Sequence, residues 1–341
     1  MSSIFTPKSP TLEDYWRSII LFGRNVASYK FALAESLLEL APPSGQLIRL
    51  EDLAEPFARH VAQHLQLSDK QGTSSSSKFL DACRQFNNGE ISQAQLIEKT
   101  VQYGFNNVID AFHVVGQDST PRRFFVDERK THQGIRITDE LSGLLGRTQA
   151  LNLPSEVESR WRLVETAWEL GISRSLVAVN YDVDSSELFT FDQSHRRRTV
   201  TGSRSALSGY QKGKCFYCFD DILVSDRASP PDVDHFFPHT LKQHGFGPMI
   251  DGVWNLVLSC QRCNRGTGGK FDKLPSLRLL ERLSHRNEYL IGSHHPLRET
   301  LMVQTGATEM ERRGFLNDMH NRAWALLIHT WEAQEVAEPL F

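Results

Sequence analysis

Four cysteines in two pairs give the clearest chemical signal in the sequence. Cys215 and Cys218 form one CxxC pair, and Cys260 and Cys263 form the other. A gap of two residues lets both thiolates of a pair turn toward one ion, and two pairs complete a tetrahedral set with no open position. The spacing therefore predicts a structural zinc ion that stabilises a module too small to fold alone. Cys83 stands alone on a predicted helix, where we expect a small buried residue.

The segment between the two pairs contains residues suited to hydrolysis. The run Asp232–Pro238 is predicted to form a short strand. Asp234 and His235 would face opposite sides of it unless the strand ends or bends near them, which Pro238 and the following loop favour. A neutral histidine can take a proton from water. Oxygens of Asp234 and Asn264 suit Mg²⁺ or Mn²⁺. These residue types are suited to hydrolysis by a water molecule that a histidine activates beside a hard cation.

The order of CxxC, DH, NL, CxxCN and a trailing lysine resembles that of the HNH endonuclease family. The resemblance is to the branch in which two zinc-binding CxxC pairs frame the ββα-metal motif, and it covers about Lys212 to Leu274. It implies two antiparallel strands and a helix around one catalytic divalent ion.

The resemblance also implies a role for each matching residue. His235 would be the general base, Asp234 and Asn264 would be ligands of the catalytic ion, and Asn255 would hold the loop and backbone around the histidine. Many family members have histidine at the position of Asn264, and this difference bears on which ion is preferred.

Positive charge is local, because a net charge of −3 does not predict general nucleic-acid binding. Arg265 and Lys270 follow the second cysteine pair and are candidates for phosphate contact, although a solvated surface lysine explains Lys270 equally well. A second basic run, without Asp or Glu, lies between His195 and the first pair. We expect it either to contact nucleic acid or to form a solvated face; it comprises Arg196, Arg197, Arg198, Arg204, Lys212 and Lys214.

Other histidines carry weaker signals. His60 and His64 have the spacing of a zinc-protease helix, but Val61 stands where that helix needs a glutamate. We therefore expect ordinary surface or core histidines there. His239 and His244 lie in the segment after the DH pair, where loop histidines without a chemical role are favoured over contact with substrate or metal.

The rest of the chain is predicted to be mainly helical. Apolar residues recur every three or four positions in several segments, and two aromatic and β-branched runs within 122–138 predict a β-hairpin. The predicted helices span residues 11–40, 55–67, 78–86, 92–103, 157–171, 276–290 and 309–333.

These patterns predict an α+β protein, namely a mostly helical body with an embedded small zinc-stapled ββα-metal (HNH) nuclease module. The expected divisions are a helical N-terminal domain (1–194), the module with its basic lead-in (195–275) and C-terminal helices packing on the body (276–341). No stretch has the roughly 18–20 apolar residues of a membrane span, and the N-terminus does not resemble a signal peptide. We expect a cytoplasmic protein.

Two functional hypotheses follow. The first is a metal-dependent HNH endonuclease acting on DNA rather than RNA, with structural Zn²⁺ and catalytic Mg²⁺ or Mn²⁺. Its helical body would select targets or dock a protein partner, as in an effector of bacterial defence. The alternative is a catalytically inactive, zinc-stapled nucleic-acid-binding module. Asp234, His235 and Asn264 together favour the enzyme, because a pure binder needs no base beside a hard-metal pair.

Overall fold

The computed structural model describes residues 10–22, 27–72, 76–169, 179–182, 184–185, 187–191, 197–224, 228–292 and 297–337. The chain divides into two compact units, the N-terminal unit Pro10–Gly171 and the C-terminal unit Ile172–Phe341. The division lies near residue 171, and the helices after 275 belong to the same unit as the cysteine pairs. Helices and small sheets occur together, consistent with an α+β protein.

The N-terminal unit is mainly helical, with short strands. Its helices are α1 (Leu12–Phe22), α2 (Tyr29–Leu40), α3 (Leu50–Leu67), α4 (Lys78–Asn87), α5 (Gln93–Tyr103), α6 (Val108–Ala111), α7 (Arg129–His132), α8 (Asp139–Leu145) and α9 (Leu153–Glu169). Its strands are β1 (Leu47–Arg49), β2 (Val114–Val115), β3 (Asp118–Ser119), β4 (Phe125–Glu128) and β5 (Gly134–Ile137).

An aromatic core holds these helices together. Phe57 packs against Phe79 and Phe105 with ring centroids 5.3 and 4.8 Å apart. Trp16 meets Phe124 edge to face at 5.1 Å. All five rings are buried, and such pairs contribute beyond the apolar area that they remove from water.

Two predicted helices in this unit have different bounds. The segment 11–40 forms α1 and α2 rather than one helix, and Ala27 pairs with Gly72 between them. Helix α3 begins at Leu50, directly after β1, so Pro56 lies inside the helix rather than in its first turn. Glu51 and Asp52 in the first turn favour this earlier start, because they interact with the positive end of the helix dipole.

The aromatic and β-branched runs within 122–138 form β4 and β5, which pair antiparallel with β5 between β4 and β1. Gly134 is the first residue of β5. A Cβ atom there would lie 2.3 Å from the Ile48 carbonyl oxygen, so the close approach of β1 requires glycine. The residue with left-handed backbone is Gln133, at φ 53°.

The C-terminal unit mixes short strands and helices. Its strands are β6 (Asn180–Asp182), β7 (Glu187–Phe191), β8 (Arg197–Gly202), β9 (Asp232–His235), β10 (Leu256–Ser259), β11 (Leu274–Pro275) and β12 (Thr330–Trp331). Its helices are α10 (Ser203–Gln211), α11 (Gln261–Arg265), α12 (Leu277–Gly292), α13 (Arg298–Thr305) and α14 (Glu309–Trp324). Antiparallel pairing joins β6, β7 and β8 in one sheet and β9 with β10 in another.

Helix α14 ends at Trp324, so the helix predicted to reach residue 333 is too long. The following chain pairs in parallel with β11 instead, through bonds from the Leu274 N–H to the His329 carbonyl and from the Ser276 N–H to the Trp331 carbonyl. These bonds satisfy backbone groups of two segments that are distant in sequence.

Helix α12 supplies hydrogen-bond donors to the strands and turns before it. Arg286, which is fully buried, donates to the carbonyls of Leu256 and Trp254 at 2.7 and 2.8 Å. Arg282 donates to the carbonyls of Phe216 and Tyr217. The segment after residue 275 therefore completes the hydrogen bonding of the segment that contains the cysteine pairs.

No helix in the described ranges combines the length and the apolar character needed to cross a membrane.

Candidate metal centre and adjoining polar site

The four cysteines converge in the C-terminal unit. Their sulfurs all lie within 4.8 Å of one another. In the first pair, the Phe219 N–H donates to the Cys215 carbonyl in a tight turn. In the second, Cys260 precedes α11, and its own N–H donates to the Cys215 sulfur at 3.3 Å. The turn and the helix start thus bring the two pairs together.

The geometry and chemistry of this cluster fit a zinc ion. Four sulfurs bound to zinc at roughly 2.3 Å in a tetrahedron lie about 3.8 Å apart. The sulfurs of Cys218 and Cys260 are separated by 3.8 Å. Across the described part of the chain, no other group of three or more His, Cys, Asp or Glu side chains is this compact. The four cysteines can therefore hold a metal ion such as zinc.

The thiols also differ in acidity. Burial raises the pKa of Cys215 well above its usual value, and hydrogen bonds from the other sulfurs raise the pKa of Cys263. Hydrogen bonds led by that from Cys215 lower the pKa of Cys218 and bring the pKa of Cys260 to about 7. The cluster can ionise only partly unless a cation neutralises the thiolates.

Beside this cluster, β9, β10 and α11 form two antiparallel strands followed by a short helix. The pairing places His235 opposite Leu256 and Asp234 opposite Val257. Side chains alternate along β9, so Asp232 and Asp234 share one face and His235 lies on the other. The strand ends at His235, as expected from Pro238, yet Asp234 and His235 still contact different side chains.

Asn255 holds the loop that connects β9 with β10. Its fully buried amide accepts from the Phe237 N–H at 2.8 Å and donates to the carbonyls of Phe237 and Ile250 at 3.0 and 2.9 Å. Its own carbonyl accepts from the Phe236 N–H at 2.7 Å. One residue thus holds the loop directly after His235.

Both carboxylate oxygens of Asp234 have protein partners. The Tyr217 hydroxyl donates to Oδ2 at 2.6 Å, and the Lys270 ammonium donates to Oδ1 at 3.1 Å. Burial and the charge of Asp234 raise the pKa of Tyr217, which keeps its hydroxyl protonated as a donor. Lys270 is only 1% exposed, so the solvated-lysine interpretation is wrong. Its ammonium neutralises a buried carboxylate.

Asn264 and Arg265 contact the other aspartate on the same face of β9. The Asn264 amide donates to Asp232 Oδ2 at 3.1 Å, and Arg265 forms an ion pair with the same carboxylate at 2.9 Å. Asn264 and Asp234 therefore lie toward one face, each with its own partners, and no hydrogen bond joins them among the described residues.

His235 faces a different set of side chains. Its Nε2 atom lies 3.3 Å from Oδ1 of Asp251, and His239 Nε2 lies 3.5 Å from the same oxygen. Lys242 donates to the other oxygen of Asp251. Burial raises the pKa of Asp251, but contacts with His235 and Lys242 outweigh it and lower the pKa below its usual value. The carboxylate is therefore ionised near neutral pH.

The two facing atoms of this contact are buried without a hydrogen bond in the described residues. His235 Nε2 and Asp251 Oδ1 are close enough to interact but are not aligned as donor and acceptor. Burial lowers the pKa of His239 below its usual value.

The predicted basic residues have separate environments. Lys214 forms an ion pair with Asp221 at 2.7 Å. Lys212 is buried, with φ 55°, and is not part of a solvated face. Arg204 donates to the Pro231 carbonyl at 2.7 Å, directly before β9. Arg197 and Arg198 lie on β8, but their side chains and the whole of Arg196 fall outside the described residues.

His60, His64 and Cys83, for which no chemical role was expected, all lie in the N-terminal unit. His64 stacks on Trp161 with ring centroids 3.5 Å apart and contacts Glu165 at 2.6 Å. His60 pairs with Glu39, and Cys83 is fully buried. Burial raises the pKa of Cys83 to about 12, so its thiol stays protonated.

Three polar residues of the site were not singled out from the sequence. Tyr217 lies inside the first CxxC pair, and Asp232 lies one strand repeat before Asp234, so both could have been found from their spacing. A long loop separates Asp251 from His235, and it contains two 3-10 turns, His239–His244 and Gly247–Asp251. Its approach to His235 depends on tertiary contacts.

Comparison with known proteins finds no matching family model, no matching curated protein and no matching solved structure.

Proposed function

We propose that the C-terminal unit is a metal-dependent endonuclease of the HNH type that hydrolyses phosphodiester bonds in DNA. The main support is the placement of His235 at the end of β9, in a β9–β10–α11 arrangement beside four clustered cysteines, with Asn255 holding the following loop. In this proposal the cysteines bind structural zinc and take no part in the reaction.

His235 is the general base in the proposed reaction. A water molecule transfers a proton to the imidazole as its oxygen attacks phosphorus in line. The P–O3′ bond breaks, and the departing 3′ oxygen takes a proton from solvent. The products carry a 5′-phosphate and a 3′-hydroxyl.

The oxygen donors on the other face of β9 are of the type that a hard divalent cation prefers. The carboxylates of Asp232 and Asp234 lie there with Asn264, and Lys270 and Arg265 already neutralise negative charge at that position. Asp234 and Asn264 would hold Mg²⁺ or Mn²⁺, because each carboxylate oxygen retains acceptor capacity beyond one hydrogen bond. When bound, the ion would stabilise charge on the phosphoryl and leaving oxygens.

Arg265 is the best-placed side chain for contact with the nucleic-acid backbone. Its side chain is 57% exposed and follows directly after Asn264. Lys270 is buried and pairs with Asp234, so we assign it to the support of that carboxylate rather than to phosphate. The N-terminal unit would select targets or dock a protein partner, and a role in bacterial defence remains part of this proposal.

One observation favours the alternative of a catalytically inactive nucleic-acid-binding module. Tyr217 and Lys270 occupy both oxygens of Asp234, which a catalytic ion also needs. In that case, the chain would bind DNA without cleaving it.

A cleavage assay separates the two functions. The purified full chain is incubated with supercoiled plasmid, single-stranded DNA and RNA in Mg²⁺ or Mn²⁺. We expect DNA cleavage, lost by about 100-fold or more in His235→Ala, because a general base contributes about 10²–10⁴ in rate. His132→Ala, which changes an exposed histidine, is the matched control and should cleave normally. Full activity of His235→Ala overturns the assignment, and binding of DNA without cleavage by the wild type supports the alternative.

A further inference from the structure

We propose that Asp251 is a positioning residue that orients the imidazole of His235. This inference rests on the proposed nuclease function for its catalytic meaning. The carboxylate holds the Nε2 proton of His235, so Nδ1 is left as the basic nitrogen that accepts the proton from water. When Nδ1 is protonated, the ionised carboxylate stabilises the resulting imidazolium.

The contact between these two residues is placed in a buried, polar environment. The side chains of His235 and Asp251 are 9% and 17% exposed, and their nearest atoms are 3.3 Å apart. In the described residues, neither atom has a hydrogen-bond partner. Buried polar atoms without a partner are costly, so a small rotation of either side chain into alignment is favourable. Catalytic hydrogen bonds are often poorly aligned before substrate binds.

The remaining contacts of Asp251 fix its orientation. Lys242 binds Oδ2 and leaves Oδ1 directed toward the imidazoles of His235 and His239. A carboxylate held by a cation on one oxygen can act on a histidine through the other with little rotational freedom.

Asn255 joins the two ends of this pair. Its amide donates both to the Phe237 carbonyl, two residues after His235, and to the Ile250 carbonyl, directly before Asp251. One fully buried side chain therefore links the backbone next to both His235 and Asp251. Such support is what a precisely placed base requires.

The first test compares Asp251→Asn with wild type in the full, zinc-containing chain. Asparagine keeps the shape but can present either its oxygen or its NH₂ group to the imidazole. We expect about a 100-fold loss in kcat with little change in KM, since only the base is misoriented. Asp251→Glu should recover part of this loss. Asp318→Asn, an exposed aspartate in α14, is the matched control. Wild-type kcat in Asp251→Asn overturns the proposal.

The second test does not depend on activity. Nitrogen-15 spectra of the imidazole rings report which nitrogen carries the proton, and His235→Gln identifies the signal of His235. We expect the Nε2-protonated form in wild type and a redistribution toward the other tautomer in Asp251→Asn. An unchanged His235 spectrum overturns the proposal. If wild type cleaves nothing but the redistribution occurs, the orienting role stands and the proposed function fails.

Two further variants address a folding failure of Asp251→Asn and the alternative that Asp251 orients His239 instead of His235. If Asp251→Asn does not fold or loses zinc, Lys242→Met tests the same arrangement by releasing Oδ2, and we expect about a 10-fold loss in kcat. Wild-type kcat in Lys242→Met would then count against the proposal. His239→Gln tests whether Asp251 serves the other imidazole. If His239→Gln abolishes cleavage and His235→Ala does not, Asp251 orients His239 and the proposal is wrong.

Discussion

At the residue scale, two neighbouring side chains of β9 have unrelated surroundings. Asp234 contacts Tyr217 and Lys270, whereas His235 faces Asp251. Alternation along a strand separates adjacent side chains, and this separation persists although the strand ends at His235, where the sequence favoured an end or bend that would bring the two side chains together. The sequence does not predict the partners, because Tyr217, Lys270 and Asp251 reach β9 from three different loops.

Lys270 provides a test of the buried charge on Asp234. Replacing it by methionine in Lys270→Met leaves the carboxylate with the Tyr217 hydroxyl as its remaining partner. We expect a loss of about 3–5 kcal/mol in the free energy of unfolding, because an unpaired buried charge is strongly destabilising. Urea denaturation of the C-terminal unit, with and without Mg²⁺, measures the loss.

If Asp234 binds the catalytic ion, Mg²⁺ should restore part of the stability of Lys270→Met and should have a smaller effect on wild type. Lys273→Met is the matched control, because this residue is partly exposed and, among the described residues, its ammonium donates to the Gly269 carbonyl alone. Equal effects of Mg²⁺ on Lys270→Met and wild type would contradict ion binding at Asp234.

At the element scale, the strands and helix of the site depend on one buried amide. Asn255 forms three side-chain hydrogen bonds, two with Phe237 and one with Ile250, within the long loop between β9 and β10. The sequence predicts a holding role for this asparagine only through the resemblance to the HNH family. The NL pair alone contains no information about which loops it joins.

Asn255→Asp keeps the size of the side chain but removes its two donors. The carbonyls of Phe237 and Ile250 would then face a carboxylate. We expect a loss of at least about 3 kcal/mol in the free energy of unfolding, since each unsatisfied buried group costs about 1–3 kcal/mol. Urea denaturation measures the change. Asn321→Asp, at an exposed site on α14, should stay within about 0.5 kcal/mol of wild type; similar stability of both variants would rule out this role for Asn255.

Helix prediction succeeds where local pattern determines the structure. Helix α5 begins after Ser92, whose side chain and that of Gln95 form a reciprocal cap. Helix prediction fails from residue 325 onward. The helical pattern of apolar and polar residues continues there, but the chain leaves α14 and pairs with β11. Long-range backbone pairing determines where α14 ends, and a local sequence pattern contains no information about that pairing.

At the scale of the whole molecule, the cysteine cluster is the part of the site that the sequence predicts most directly. The pairs Cys215/Cys218 and Cys260/Cys263 come together as their spacing implies. The division of the chain is less evident from the sequence, because the donors that complete the cysteine-containing segment lie on α12, beyond residue 275.

Metal analysis tests the zinc assignment. We expect about one zinc ion per chain, retained under mild chelation and lost in Cys260→Ser together with the folded structure of the C-terminal unit. Cys83→Ser is the matched control, because this buried thiol lies in the N-terminal unit, and zinc content should not change. Elemental analysis gives the content, and circular dichroism follows the folding. Zinc bound equally by Cys260→Ser and wild type would exclude this site.

The arginines of α12 also set an order of events during protein synthesis. Arg286 binds carbonyls of Leu256 and Trp254, although it is translated about thirty residues after them. The ribosomal exit tunnel releases the chain from its N-terminus, so β9 and β10 emerge before the donors on α12 have left the tunnel. The cysteines can collect a metal ion during that interval, but the strands beside them reach their final hydrogen bonding only once α12 is free of the ribosome.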